Sequence, residues 1–403
     1  MASYGPSPEN NTACGPDTQP LVSFVVPCYN LAHVLADCLY SILQQTYQTI
    51  EVIIMDDCSP DNTYVVANAF DDPRIRYIRN PVNLGNLANY NAGIDASRGK
   101  YVWLISADDR MRRPYVVERY VHAMELHPGA GFVCCPGVGL KDGKETEVLA
   151  CGYFGRRDKI FRKHAFVAAS LYHNYGLLSP SVMVRKTCYD SIGKFPLDMP
   201  HQGDWYLWMR WALDYDVLYF SEPMVNYRSH PLNMMTTLVS RAPHTVFNDE
   251  VNLLWRTKRL CTERNLRGLV NKCEDLLARK YARAAATALY KDTTFFYRLT
   301  KDKCVSALMR NCATAAEFRR MSGKVACYIA NQHWRHKNFG RAQSEYSAAL
   351  HAYWWIPSAW LKLLALRAGL GSLGLCVSNL RRHLSRMRYA LARIPLRLSA
   401  SAS

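Results

Sequence analysis

Through the first part of the chain, short unbroken apolar runs alternate with segments in which apolar residues return every three or four positions. Leu21 to Pro27 and Glu51 to Met55 are runs rich in β-branched residues, and Tyr101 opens a third, all of which predict buried strands. From about His33 to Gln45, Val34, Leu35, Cys38, Leu39, Ile42 and Leu43 share one helical face. Asp61 to Phe70 reads as the next helix, Arg76 to Ile78 as a short strand and Gly85 to Ser97 as a third helix. Strand and helix in alternation predict an α/β domain with a mostly parallel, doubly wound sheet flanked by helices. Farther on, Asp204 to Leu213 predicts a helix with Trp205, Trp208 and Met209 turned inward. Val217 to Ser221 and Pro223 to Arg228 predict two more strands. From about Asn248 to Leu366 the strand pattern is gone and Ala, Leu, Lys and Arg predominate, which predicts helices.

The polar positions matter most where these strands end. The second strand runs into Asp56 and Asp57, and the run Y-V-W-L-I-S-A-D-D from Tyr101 ends in Asp108 and Asp109. In open α/β sheets, ligands collect beyond the carboxyl ends of the strands. Paired acids there suit Mg2+ or Mn2+, which take carboxylate oxygens together with water and substrate phosphate. The alternative is a solvated Asp-Asp turn capping the helix that begins near Pro114.

Five ordered segments sharpen the choice: V-V-P-C-Y-N (Val25 to Asn30), M-D-D-C-S-P-D-N-T (Met55 to Thr63), N-L-G-N-L-A-N-Y-N-A-G-I (Asn83 to Ile94), S-A-D-D (Ser106 to Asp109) and G-D-W-Y-L-W-M-R (Gly203 to Arg210). Together they resemble family 2 glycosyltransferases with the GT-A fold over roughly residues 20 to 232. The resemblance implies an inverting transferase that moves a sugar from a nucleotide diphosphate donor, most plausibly a UDP-sugar, to an acceptor hydroxyl. It places Pro27, Tyr29 and Asn30 against the base and ribose, and Asp56 or Asp57 on a base N–H or the ribose. It brings Asn83, Gly85 and Asn91 to the donor through a loop and a helix start, where small residues and free N–H groups favour anions. Ala107 and Asp108 face the donor, and Asp108, Asp109 and His230 are the implied metal ligands. Arg228 of Y-R-S-H is implied at the diphosphate, and Asp204 is the implied base. A helix N-terminal acid held by the macrodipole is the alternative for Asp204; there the dipole lowers basicity and burial must restore it. Two departures stand out. Ser106 occupies the place of the first acid of the common D-x-D, which leaves metal-free turnover open, and Cys58 replaces the usual glycine.

Composition narrows the rest. At 403 residues and 49% hydrophobic content the chain can bury a large core and hold more than one domain. Residues 1–19, rich in Gly, Pro and Asn, read as a flexible leader without the basic and apolar regions of a signal peptide. Fourteen scattered cysteines without a C-x-x-C fit neither a zinc site nor a secreted disulfide framework, so a cytoplasmic protein is expected. Charge divides unevenly: residues 241–403 hold 29 Lys/Arg against 9 Asp/Glu, and residues 1–240 hold 21 against 24. The expected organisation is a catalytic domain over 20–240 followed by a basic helical region over 241–403. In Leu380 to Leu398 the apolar residues Leu380, Leu384, Met387, Leu391, Ile394 and Leu398 recur at helical spacing among arginines, as on a helix lying on an anionic membrane surface. A basic helix docked on its own domain is the alternative. Before it, Trp354, Trp355 and Trp360 form an apolar belt, but its longest uncharged run is shorter than the roughly 20 residues that span a bilayer. Asn338, Phe339, Ala342, Tyr346, Ala349, Leu350 and Pro357 resemble the second helix of a tetratricopeptide repeat, which needs neighbours to bury its face. No nucleic-acid-binding module appears, and strand-tip acids repel a phosphate backbone. A glycan or lipid-linked saccharide is the acceptor class that the resemblance implies, in cell-surface polysaccharide synthesis. A catalytically inactive scaffold with the same fold is the competing expectation.

Overall fold

The computed structural model describes residues 19–173, 177–230, 233, 242–290, 301–353 and 356–367. The leader before residue 19, Trp354, Trp355 and the helix expected over Leu380 to Leu398 lie outside them. Two compact units divide after Leu269.

The first unit runs β1 (Val22–Cys28), α1 (Ala32–Leu43), β2 (Ile50–Asp56), α2 (Thr63–Asn68), β3 (Ile75–Arg79), α3 (Asn86–Ala96), β4 (Tyr101–Leu104), β5 (Arg110–Met111), α4 (Val116–Leu126), β6 (Ala130–Cys134), β7 (Gly137–Lys141), β8 (Lys144–Val148), β9 (Lys159–Phe161) and α5 (Ala165–His173). A 3-10 turn (Ser179–Ser181), β10 (Met183–Arg185), α6 (Lys186–Ile192), α7 (Gly203–Trp211), β11 (Asp216–Tyr219), β12 (Val225–Arg228) and α8 (Pro243–Glu263) follow. Eight strands form the main sheet in the order β3-β2-β1-β4-β10-β6-β11-β9. β3, β2, β1 and β4 are parallel, as their pattern predicts, whereas β10 enters antiparallel between β4 and β6. The fold is therefore the expected α/β sheet flanked by helices.

Every residue of β1, β2 and β4 is buried, which is why these strands read as continuous apolar runs. Leu35, Cys38, Leu39 and Ile42 of α1 close one face of the sheet. The other face admits α3 only because Gly93 lacks a side chain: a Cβ there would lie 2.3 Å from Val25 Cγ1. Glu51, near the start of β2, is fully engaged. Ser23 Oγ donates to it at 2.6 Å, the Arg98 backbone N–H at 2.7 Å and Arg76 at 3.1 Å. Burial raises its pKa, but these hydrogen bonds outweigh burial and leave it below the ordinary value.

A second sheet, β5-β12-β7-β8, was not anticipated. β5 has two residues and β8 is exposed throughout, so neither carries an apolar pattern to read. The unit also extends past the boundary expected at residue 240. α8 packs on α7, and the Asp249 carboxylate of α8 accepts the backbone N–H groups of His201 at 2.6 Å and Gln202 at 3.3 Å. These residues lead directly into α7.

The second unit is helical: the larger part of α9 (Arg267–Tyr290), then α10 (Lys301–Asn311), α11 (Ala315–Arg335), α12 (Phe339–Ala352) and α13 (Pro357–Arg367). Thr314 caps α11 by accepting the Glu317 N–H at 3.1 Å. α11 and α12 form the helical hairpin hinted at by Ala342, Tyr346 and Ala349, which pack against Ala330 and Trp334.

Candidate active site

The carboxyl ends of β1, β2 and β3 make one continuous rim. Asp57 N–H donates to the Cys28 carbonyl at 2.9 Å, Asn30 N–H to Ser59 Oγ at 3.0 Å and Asn80 N–H to the Asp56 carbonyl at 2.8 Å. Pro27 is buried, and its carbonyl accepts the N–H of Ala107 at 3.1 Å, so the acid-bearing segment after β4 is strapped to β1. Ala107 is itself fully buried. Tyr29, Val82 and Leu84 remain exposed on the rim.

The two acids after β2 are committed to the protein. Asp56 accepts Ser59 N–H at 2.8 Å, the Tyr77 hydroxyl, and Arg79 at 2.6 Å. Burial raises its pKa and these donors more than reverse the effect. Asp57 accepts Asn80 Nδ2 and the Leu84 N–H, each at 2.8 Å, and the Gly85 N–H at 2.9 Å. The anion held at the start of α3 is thus the Asp57 carboxylate. Asn83 Oδ1 accepts the same Gly85 N–H at 3.0 Å. Asn91 bridges to the backbone of Phe195, donating to its carbonyl and accepting its N–H, both at 2.9 Å. It buttresses the segment before α7, so its amide is spent on the protein.

Beyond β4 lies a cleft of about 680 Å3, bordered by Asp108 and Asp109 on one side and Asp204 on another. Leu149, Leu177, Leu178 and Trp205 give it apolar walls. His230 Nε2 lies 3.0 Å from Asp108 Oδ2. Asp109 Oδ1 instead accepts the backbone N–H of Arg228 at 2.9 Å. Burial, and then the charge of Asp108, push the Asp109 carboxyl well above the usual carboxylate range, which favours its neutral form. Of the expected ligands Asp108, Asp109 and His230, the first and last are therefore paired, and Asp109 is drawn into the protein. Among the described residues no three His, Cys, Asp or Glu side chains form a metal-binding group. Arg228 is also turned inward. Its Nε donates to the Asp108 carbonyl at 2.7 Å and its guanidinium pairs with Asp37.

Asp204 sits in the first turn of α7. Its Oδ2 accepts Ser179 Oγ at 2.9 Å, and its Oδ1 accepts the Trp205 N–H at 2.6 Å. Burial nevertheless raises its pKa from 3.8 to about 6, against the lowering effect of those two bonds. The raised value runs counter to the lowering that a helix start exerts on an acid. Tyr90 and Tyr227 also border the cleft, and burial together with the nearby carboxylates keeps both phenols protonated. Each therefore keeps a proton that it can donate within the cleft. Tyr227 lies within the Y-R-S-H segment; Tyr90 reads in the sequence only as one residue of a helix, and Asp37 only as a charge on the solvent face of α1.

Known proteins share features of this arrangement in sequence and in fold. The sequence profile described as "Glycosyl transferase family 2" matches residues 23–171, from β1 through α5. Over these residues the chain is similar to glycosyl transferase family 2. It is 26% identical over 242 residues to an uncharacterized glycosyltransferase of Rickettsia typhi, covering 59% of this chain and 70% of the relative. It is 31% identical over 168 residues to the succinoglycan biosynthesis protein ExoO of Rhizobium meliloti, covering 41% of this chain and 48% of that one. Among solved structures, S. aureus TarS in complex with UDP-GlcNAc has the same fold, with a TM-score of 0.56 at 16% identity, covering 82% of this chain and 91% of the other. Its complex with UDP gives a TM-score of 0.54 at 15% identity, covering 82% and 90%. The shared fold is of the expected α/β class. No helix among the chain's described residues is long and apolar enough to cross a membrane.

Proposed function

We propose that this glycosyltransferase works with inversion on a nucleoside diphosphate sugar, with Asp204 as the base and Asp108 on the diphosphate side. Asp204 carries this reading: a carboxyl raised to about 6 borders the same cleft as Asp108. Such a group is mostly ionised at neutral pH yet holds a proton better than an exposed carboxylate, as a general base must. The acceptor oxygen forms its bond to the anomeric carbon as the bond to the phosphate oxygen breaks on the opposite face. The acceptor proton passes to Asp204, and the nucleoside diphosphate leaves with the electron pair.

Mn2+ or Mg2+ suits the donor set in part. Asp108 and His230 would hold the ion, with diphosphate oxygens and water completing the shell, since such ions usually take only one or two protein carboxylates. When bound, it supplies positive charge to the departing diphosphate. The rim carrying Tyr29 and Asn30 would receive the nucleotide, with Asp57 bracing the loop behind it. A UDP-sugar is the donor we favour, supported by the UDP and UDP-GlcNAc complexes of the TarS fold. The acceptor we favour is a glycan or lipid-linked saccharide of a cell-surface polysaccharide, in keeping with the succinoglycan relative. The basic C-terminal charge supports work at the cytoplasmic face of an anionic membrane. An inactive scaffold would not need a half-buried carboxyl with raised pKa beside a cleft, so it is the weaker reading.

Donor hydrolysis tests the proposal. With Mn2+, the wild-type chain is expected to release UDP slowly from a UDP-sugar. Asp204→Asn should cut turnover by roughly 10²- to 10⁴-fold, and Asp108→Asn should remove the dependence on Mn2+. Full turnover by Asp204→Asn would overturn the assignment of the base.

A further inference from the structure

We infer that Asp37 is a positioning residue that reserves the Asp108 carboxylate for a cation by holding Arg228 away from it. The inference rests on the role proposed for Asp108 above, but the observations behind it are separate.

Asp37 lies in the middle of α1, whose Leu35, Cys38, Leu39 and Ile42 face the core. Its side chain is 42% exposed, whereas that of its partner Arg228 is only 13% exposed. A guanidinium this buried needs a counter-charge. Three aspartates bond to Arg228, each through a different group. Asp109 is bonded to the Arg228 backbone at 2.9 Å, and Asp108 offers Arg228 its carbonyl at 2.7 Å while its own carboxylate faces His230 at 3.0 Å. Asp37 is the carboxylate that meets the guanidinium. It also receives Arg110 at 3.4 Å, from the strand that follows the acid pair. That strand, β5, pairs with β12, which ends in Arg228. One carboxylate on α1 thus touches both flanks of the Asp108–Asp109 segment.

The consequence is electrostatic. With Asp37 neutral, Arg228, already bonded through Nε to the Asp108 carbonyl, loses its carboxylate partner, and a guanidinium turned onto the Asp108 carboxylate would compete with any divalent ion. Groups that orient metal-ligating side chains typically change metal affinity or activity by 10- to 100-fold when replaced.

Mn2+ binding in the presence of UDP, followed by loss of the free-ion EPR signal, tests the inference alongside UDP release. Asp37→Asn is isosteric and half-exposed, so the fold should survive, as a thermal midpoint within about 3 °C of wild type would verify. We expect Mn2+ affinity to fall by roughly 10-fold or more and kcat to fall with it. UDP binding without metal should stay within about 2-fold of wild type, well under the 10-fold step that 1.4 kcal/mol makes. Asp37→Glu should recover most of the loss. Arg110→Gln should keep wild-type Mn2+ affinity, because the effect runs through Arg228. If Arg110→Gln reproduces the loss, or Asp37→Asn binds Mn2+ as wild type does, the inference is overturned. If the wild-type chain itself binds no Mn2+ with UDP, the role proposed for Asp108 fails first and takes this inference with it.

Discussion

Cys58 adopts a left-handed backbone, φ 61°, in the turn that links the Asp56–Asp57 pair to α2. That conformation costs an L-residue roughly 1–2 kcal/mol, which explains physically why glycine is usual in this loop of the family. Cysteine recovers little, since its Sγ makes only long contacts, at 3.8 Å, with the Pro81 carbonyl and with Arg79. Cys58→Gly should therefore stabilise the chain by about 0.5–1 kcal/mol, after allowance for glycine's larger unfolded entropy. A thermal melt showing a lower midpoint would mean that the sulfur contacts outweigh the backbone strain. At this scale the sequence reveals which side chains stand at strand ends, and Asp56, Asp57, Asp108 and Asp204 are all found there or at a helix start. It does not reveal which of them remain free. The partners that occupy Asp57 come from residues 80–85, and those of Arg228 come from the other end of the domain. Only the fold brings them together.

The elements were readable in proportion to how completely they are buried. β1, β2 and β4 are continuous apolar runs because both faces of the sheet are covered, and α1 shows its periodicity because only one face is. β5 and β8 lack either signature, and β10 carries no mark of its antiparallel direction, since that depends on the long path from β9 rather than on its own three residues. The layer between α3 and the sheet offers a direct test. Gly93→Ala would press a methyl group onto Val25 and Met55, whose Cγ lies 2.9 Å from the ideal Cβ position. A loss of roughly 1–3 kcal/mol is expected in urea unfolding, the usual cost of overpacking. Wild-type stability would show that α3 can lift off the sheet without penalty. Because α3 also carries Tyr90 and Asn91, the same substitution should lower donor turnover by more than its effect on the folded fraction.

For the whole molecule, the charge is the least local property. The chain's net charge of +17 comes from the region after residue 240, where 29 Lys/Arg face 9 Asp/Glu, while residues 1–240, with 21 against 24, are slightly acidic. Each Lys or Arg near an anionic lipid surface contributes about 1 kcal/mol, and salt screens the attraction. Sedimentation with phosphatidylserine-containing vesicles should therefore carry the full chain down at low salt and release it at high salt, with no binding to phosphatidylcholine alone. Equal binding to both vesicles, or none to either, would contradict a membrane role for this charge. Within the catalytic unit, the pH dependence of donor turnover tests the assignment of Asp204 as the base most directly. Its carboxyl must be ionised to accept a proton, and its pKa is raised to about 6. The rate should thus be constant near neutrality and fall tenfold per unit below pH 6. Ser179→Ala removes a hydrogen bond that lowers that pKa, and should move the acid limb upward by roughly half a unit to one unit. A wild-type rate that stays flat down to pH 5, or a limb that Ser179→Ala leaves in place, would contradict it.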